Sequence, residues 1–220
     1  MCTKHHSDSL NFKITIPQKK DREMYIPSDN DIKALLKSIE GTELEKAVLL
    51  AAFGTLRSGE VDALTSDDIN GNVITVNKTV TRSKGGEFVT KQPKTPSSIR
   101  KIEYPEFVIK KFNGIDGKLV DIKPGRCNDQ LQIALKQAGL PQFRFHDLRH
   151  YVASIMHAIG VPEAYILERG GWRTAHTLNK VYRHVMDEKK KEVISSVNSH
   201  FESILYDSCD TTPEKASESA

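Results

Sequence analysis

Phe145-His146-Asp147-Leu148-Arg149-His150 is the stretch on which the rest of the chain can be arranged. Downstream of it Leu148, Val152, Ile155, Met156 and Ile159 recur at helical spacing, and Gly160 then closes the run as a C-terminal cap. His146 therefore begins a helix, and Arg149, three residues on, is expected on the same face. An imidazole, a guanidinium and a helix N-terminus aimed one way make an anion site, most naturally for phosphate.

Working outward, two upstream helices announce themselves by their caps. Ser28 with Asp31 forms a capping box ahead of Ile32, Leu35, Leu36 and Ile39, and Gly41 ends that helix. Thr42 with Glu45 repeats the device, and Leu44 to Phe53 is apolar nearly all round, which predicts a buried helix. Gly54-Thr55-Leu56-Arg57-Ser58-Gly59-Glu60 follows. An arginine placed straight after a buried helix calls for an anion, and Glu60 is positioned to hold its guanidinium.

The pattern then changes period. Val73 to Val80 is rich in β-branched residues, Lys84-Gly85-Gly86-Glu87 reads as a hairpin turn, and Phe88 to Lys91 begins the return. Gln92 to Pro96 breaks it, and Ile99 to Tyr104 forms a third strand, giving one small antiparallel sheet. Helices resume at Pro105 to Phe112, Asn128 to Ala138, the His146 helix and a short one near Pro162. The Gly170-Gly171 break leads to Trp172, and helix returns from about Ala175 with Tyr182-Arg183-His184 inside it. A last amphipathic segment, Val193 to Leu205, is expected either to dock on a neighbouring copy or to pack on its own domain. The fold expected is α+β, mainly α, with a catalytic domain over 28–206, a linker over 1–27 and a disordered tail over 207–220.

Composition limits the possibilities. The chain has 220 residues and three widely spaced cysteines without CxxC pairing, which speaks against a disulfide framework and for a reducing cytoplasm. No apolar run reaches membrane-spanning length, and no signal-peptide core is present at the N-terminus. The net charge of +3 conceals a focus. Four acids against Lys215 lie beyond residue 206, and residues 78–101 hold Lys78, Arg82, Lys84, Lys91, Lys94, Arg100 and Lys101 against Glu87 alone. Such a focus favours a polyanion, with Lys78, Arg82, Lys84, Lys91 and Arg100 as the candidate contacts to it.

Arg57, Arg149, His146, a lysine, Trp172 and Tyr182 together suit phosphoryl transfer without a metal or other cofactor: guanidiniums for the charged oxygens, a phenol as nucleophile, and an amine and an imidazole for protons. These residues resemble the tyrosine site-specific recombinases, the family of phage and conjugative-transposon integrases. The family's first box is similar to Leu56-Arg57-Ser58-Gly59-Glu60. Its hairpin lysine fits Lys94 in Pro93-Lys94-Thr95-Pro96, with Lys84 as the other candidate. Its His-x-x-Arg box is similar to His146 and Arg149, and its nucleophile in a Tyr-x-His context to Tyr182 and His184. Gly170-Gly171-Trp172 stands where the family often has Leu-Gly-His, and an indole donates a hydrogen bond but transfers no proton. Gly54-Thr55 inverts the usual Thr-Gly.

The resemblance implies cleavage and rejoining of double-stranded DNA through a 3′-phosphotyrosine, by a homotetramer on DNA that is monomeric when free, in a bacterial cytoplasm. It also implies an N-terminal DNA-clamp domain in a longer enzyme, since nothing before Ser28 is long enough to be one. Two other readings start from the same residues. One is a DNA-binding module with an inactive site. The other is a zinc hydrolase, with His146 and His150 at i, i+4 as ligands; there Asp147 is a carbon shorter than the usual glutamate, and Arg149 places a positive charge beside the metal.

Overall fold

A computed structural model describes residues 25–92 and 98–172, with isolated positions at 174, 195, 198, 199 and 201. Helix α1 (Asp29–Ser38) starts at the expected box: the Asp31 carboxylate accepts from the Ser28 amide at 2.8 Å, and the Ser28 hydroxyl accepts from the Asp31 amide at 3.2 Å. Its faces toward the core carry Ile32 and Leu35. Helix α2 (Glu43–Gly54) is capped by Thr42 and is buried on almost every side, as its uniform apolarity predicts. Glu45 departs from the reciprocal box. Its carboxylate accepts instead from the Gly41 amide at 2.8 Å and pairs with Lys111 at 2.7 Å.

Helix α2 ends against Tyr104. A Cβ on Gly54 would lie 1.6 Å from the Tyr104 hydroxyl oxygen, so only glycine permits that ring, whose hydroxyl donates to the Leu50 carbonyl at 2.9 Å. The next residue, Thr55, takes a left-handed conformation with φ of 61°. That is costly for a β-branched side chain. Here it turns the chain sharply into the single-turn helix α3 (Ser58–Val61).

The β-rich region forms two units rather than one sheet. Strands β1 (Ile69–Asn70), β2 (Val73–Val76) and β5 (Arg100–Glu103) make a three-stranded antiparallel sheet in the order β1-β2-β5, with Ile74 opposite Ile102 and Val76 opposite Arg100. Strands β3 (Thr79–Arg82) and β4 (Phe88–Lys91) form a separate antiparallel ribbon. The β-branched run from Val73 breaks at Asn77-Lys78. Buried alternation ends at Val76, and Lys78 turns back to Asp68 at 2.8 Å and to the Thr65 hydroxyl at 3.0 Å. The ribbon stays attached through Gly59, where an added Cβ would lie 2.5 Å from the Val80 carbonyl oxygen.

The segment expected as one helix over Pro105–Phe112 is helix α4 (Glu106–Ile109) followed by a 3-10 turn, Lys110–Phe112. Helices α5 (Cys127–Gln137), α6 (Asp147–Ala158) and α7 (Glu163–Gly170) complete the described fold. Gly160, with φ of 81°, closes α6 as expected: its amide donates to His157, and that of Val161 donates to Met156. The predicted α6 stripe is only half used. Leu148 enters the core with Phe145, Leu131 and the α2 residues, Val152 is buried, and Met156 packs against Ala153 and Ile166, whereas Ile155 and Ile159 are exposed. Cys127 is fully buried; its thiol donates to the Asp62 carboxylate at 3.7 Å, and burial, then the Asp62 charge, push its pKa up to about 12. Residues 1–24 of the expected linker over 1–27, the amphipathic segment Val193–Leu205 and the tail over 207–220 fall outside the described residues, apart from the isolated positions.

Candidate active site

Three elements, α3, β5 and α6, converge on one carboxylate. Glu60, near the end of α3, is buried, and its two oxygens are contested by three arginines. Arg57 donates from its guanidinium at 2.8 Å and from its backbone amide at 2.9 Å. Arg100, the first residue of β5, makes a two-pronged contact at 2.9 Å and 3.2 Å. Arg149, in the first turn of α6, stands 3.9 Å away. Burial alone would raise the Glu60 carboxyl, but the Arg100 hydrogen bonds and charge, followed by the Arg57 amide and Arg149, outweigh it and hold the group below its ordinary value.

Arg149 has no exposed surface. Its guanidinium donates to the Thr55 carbonyl and, at 2.9 Å, to that of Gly170, while the Trp172 ring lies over it at 4.6 Å. Gly170 has to be glycine for that ring to fit, because a Cβ there would meet Trp172 at 1.8 Å. Gly171, left-handed at φ of 61°, offers its carbonyl to Arg57 at 3.2 Å. The Gly170-Gly171-Trp172 turn is thus the floor on which both arginines rest. Burial and the nearby Arg57 charge work against the Arg149 cation, and Glu60 favours it.

His146 caps α6 and is exposed, while its partner His150 is buried; the rings meet edge to face, with centroids 5.0 Å apart. Desolvation, then the Arg149 charge, lowers the His146 pKa, which leaves a neutral imidazole at neutral pH. At the α6 N-terminus the Asp147 amide donates to the Arg144 carbonyl at 2.8 Å and the Arg149 amide to that of His146 at 3.1 Å. Asp147 is buried there, and its carboxylate is taken by the Arg144 amide at 2.7 Å and the Arg144 guanidinium at 2.8 Å. For the zinc reading, no group of three His, Cys, Asp or Glu residues that could hold a metal occurs among the described residues.

The basic segment divides. Arg82, Lys84 and Lys91 are exposed on the ribbon. Lys78 and Arg100 are not: Lys78 is tied to Asp68, and Arg100 is buried on Glu60. Strand alternation explains Arg100, since it shares the inward face with Ile102 while Lys101 and Glu103 point out. Lys94, Tyr182 and His184 lie outside the described residues. The residues that the sequence did not single out are Thr55, through its carbonyl, and Arg169. The Arg169 guanidinium donates to the Phe53 and Glu103 carbonyls at 3.0 Å, and its own carbonyl accepts from Arg100 at 2.8 Å. A main-chain acceptor leaves no mark in a sequence; Arg169, in the last turn of α7, reads there only as a dipole partner.

Residues 28–189, which take in the Glu60 cluster and the glycine turn, match the phage integrase family. The chain belongs to that family. Among its relatives, a tyrosine recombinase XerC-like protein of Caldanaerobacter subterraneus is 27% identical over 86% of this chain and 59% of its own length. The integrase of Salmonella phage P22 is 38% identical over 34% of this chain and 19% of its own. The integrase-family chain spans between 19% and 59% of the length of the curated relatives it matches. The fold is that of tyrosine recombinase catalytic domains. The Tn1549 transposon integrase, solved in complex with circular intermediate DNA, superposes with a TM-score of 0.65 at 19% identity, covering 80% of this chain and 68% of that one. The catalytic domain of bacteriophage HP1 integrase superposes at 0.55 and 18% identity, over 88% of this chain and all of that one.

Proposed function

We propose that this integrase-family domain cleaves and rejoins double-stranded DNA site-specifically through a 3′-phosphotyrosine. The observation that carries the reading is the meeting of Arg57 and Arg149 on Glu60, at 2.8 Å and 3.9 Å, with Trp172 over the second guanidinium. Two cations fixed side by side before substrate arrives suit the charge that builds on the non-bridging oxygens of a phosphodiester in its transition state. Arg57, with its side chain 39% exposed, offers the open face of the pair. Arg149 is enclosed, so its engagement of a phosphate requires its cover to shift.

In this reading the Tyr182 phenol oxygen attacks phosphorus, and the bond from phosphorus to the 5′ oxygen breaks. Neutral His146 accepts the phenol proton or holds a phosphate oxygen. Lys94 protonates the leaving 5′ oxygen, Trp172 donates a hydrogen bond, and His184 supports the nucleophile. Attack by a 5′-hydroxyl of a second strand reverses the chemistry and rejoins the DNA. The side chains supply every cation this scheme uses, and the phosphotyrosine conserves the energy of the bond. Arg82, Lys84 and Lys91 track the backbone, so binding falls steeply with salt. The working assembly is a tetramer on DNA in a bacterial cytoplasm.

The test is incubation with nicked suicide DNA followed by denaturing electrophoresis. A covalent band is expected from the wild type and none from Tyr182→Phe. A band that survives Tyr182→Phe overturns the assignment of the nucleophile.

A further inference from the structure

Arg100 is buried and offers DNA almost no surface, yet it places a third guanidinium against a carboxylate already engaged by Arg57. Stability alone argues against such an arrangement. A buried cation costs desolvation, and an apolar side chain of similar size often serves a core as well or better. The geometry gives another reason for it.

An ionised carboxylate offers about four lone-pair sites. In Glu60 the donors within hydrogen-bonding distance are the Arg57 guanidinium at 2.8 Å, the Arg57 amide at 2.9 Å, and the two Arg100 prongs at 2.9 Å and 3.2 Å. Arg149 is left at 3.9 Å, close enough to feel the charge and too far for a hydrogen bond. It rests on the Thr55 and Gly170 carbonyls, with its Nε unpartnered and buried. Arg100 is itself fixed from behind, since its Nε donates to the Arg169 carbonyl at 2.8 Å and its NH1 to that of Ser98 at 3.2 Å.

We propose that Arg100 is a positioning residue: by filling the Glu60 acceptors it keeps Arg149 from collapsing onto that carboxylate, so that the donors Arg149 does not spend on the Thr55 and Gly170 carbonyls are kept for a phosphate once its cover shifts. This rests on the recombinase reading above. Without Arg100, two acceptor sites open beside a guanidinium that stands only 3.9 Å away. Arg149 then forms a conventional buried ion pair and is lost to catalysis.

The experiment uses the full chain and nicked suicide DNA, with the single-turnover rate of covalent complex formation and the DNA affinity measured separately. Arg100→Met is expected to slow the covalent step about a hundredfold, the scale of losing one preorganised donor, while affinity changes less than about threefold. Arg100→Lys restores part of the rate, because an ammonium occupies an acceptor without reproducing the fork. In a Glu60→Gln background, Arg100→Met adds less than about threefold, since no charged carboxylate remains to capture Arg149. Thermal unfolding is followed throughout, and if Arg100→Met does not fold, Arg100→Lys carries the comparison with and without Glu60→Gln. An unchanged rate in the variant, or full additivity with Glu60→Gln, overturns the inference alone. A wild type that forms no covalent complex overturns the recombinase reading and this inference with it.

Discussion

Burial weighs against the charged form of both histidines in the His146–His150 pair, but only His150 is deeply enclosed. Its pKa is lowered to about 4, by burial first and then by the charge of His146. The unfolded chain takes up this proton near the ordinary value of 6.5, and the folded chain only near 4. The stability tied to His150 is therefore complete above pH 6.5 and is lost as pH falls from there toward 4. At ~1.4 kcal/mol per pKa unit the whole effect is about 3 kcal/mol. His150→Gln is expected to flatten the decline in unfolding free energy across that window, as read from urea midpoints at a series of pH values. A slope equal to the wild type's would show that His150 is not the group responsible. Residues of this kind were legible by different routes. Spacing alone put His146 and Arg149 at the start of a helix, but not that one would be exposed and the other enclosed. The position of Arg100 was written in the alternation of β5, where Ile102 marks the inward face, and its charge pointed the other way.

At the scale of elements, the capped helices were the most legible and the strands the least. Ser28 and Thr42 identify α1 and α2 because capping is local chemistry, settled within four residues. The division of the β region into a sheet and a ribbon is not local. It depends on Asp68 drawing Lys78 aside and on which strand β5 finds as its partner, across an intervening segment that includes the whole ribbon. Gly59 joins these units. In the sequence it is one letter of the Arg57-Ser58-Gly59-Glu60 box; in the fold it is where β3 lies against α3. Gly59→Ala places a methyl group 2.5 Å from the Val80 oxygen and 2.8 Å from the Thr79 hydroxyl, so the ribbon has to move. The expected cost is about 1–3 kcal/mol, the usual range for overpacking. Hydrogen exchange of the Thr79–Arg82 amides should speed up more than that of α2. Uniform exchange across both would show that the ribbon does not dock through this glycine.

For the molecule as a whole, segments more than a hundred residues apart in the chain are held together at the site itself. Arg57 reaches Gly171, the Thr55 hydroxyl donates to the Arg169 carbonyl at 2.9 Å, and Arg169 reaches Phe53. No sequence window contains both partners of such contacts, which is why the boxes could be recognised one by one while their convergence could not be derived. Forming the site and closing the domain are consequently one event, at a high cost in chain entropy that the helix and sheet contacts must offset. Cys127 turns that coupling into something measurable. A thiol held in its protonated form by burial and by Asp62 is a poor nucleophile, so a maleimide added to the native protein should leave Cys127 unlabelled at neutral pH. Peptide mass mapping in rising urea should show its alkylation tracking global unfolding, and labelling well below the unfolding midpoint would reveal a partial opening at α5. The chain thus carries its own clock for the opening of its interior, with no label to be engineered.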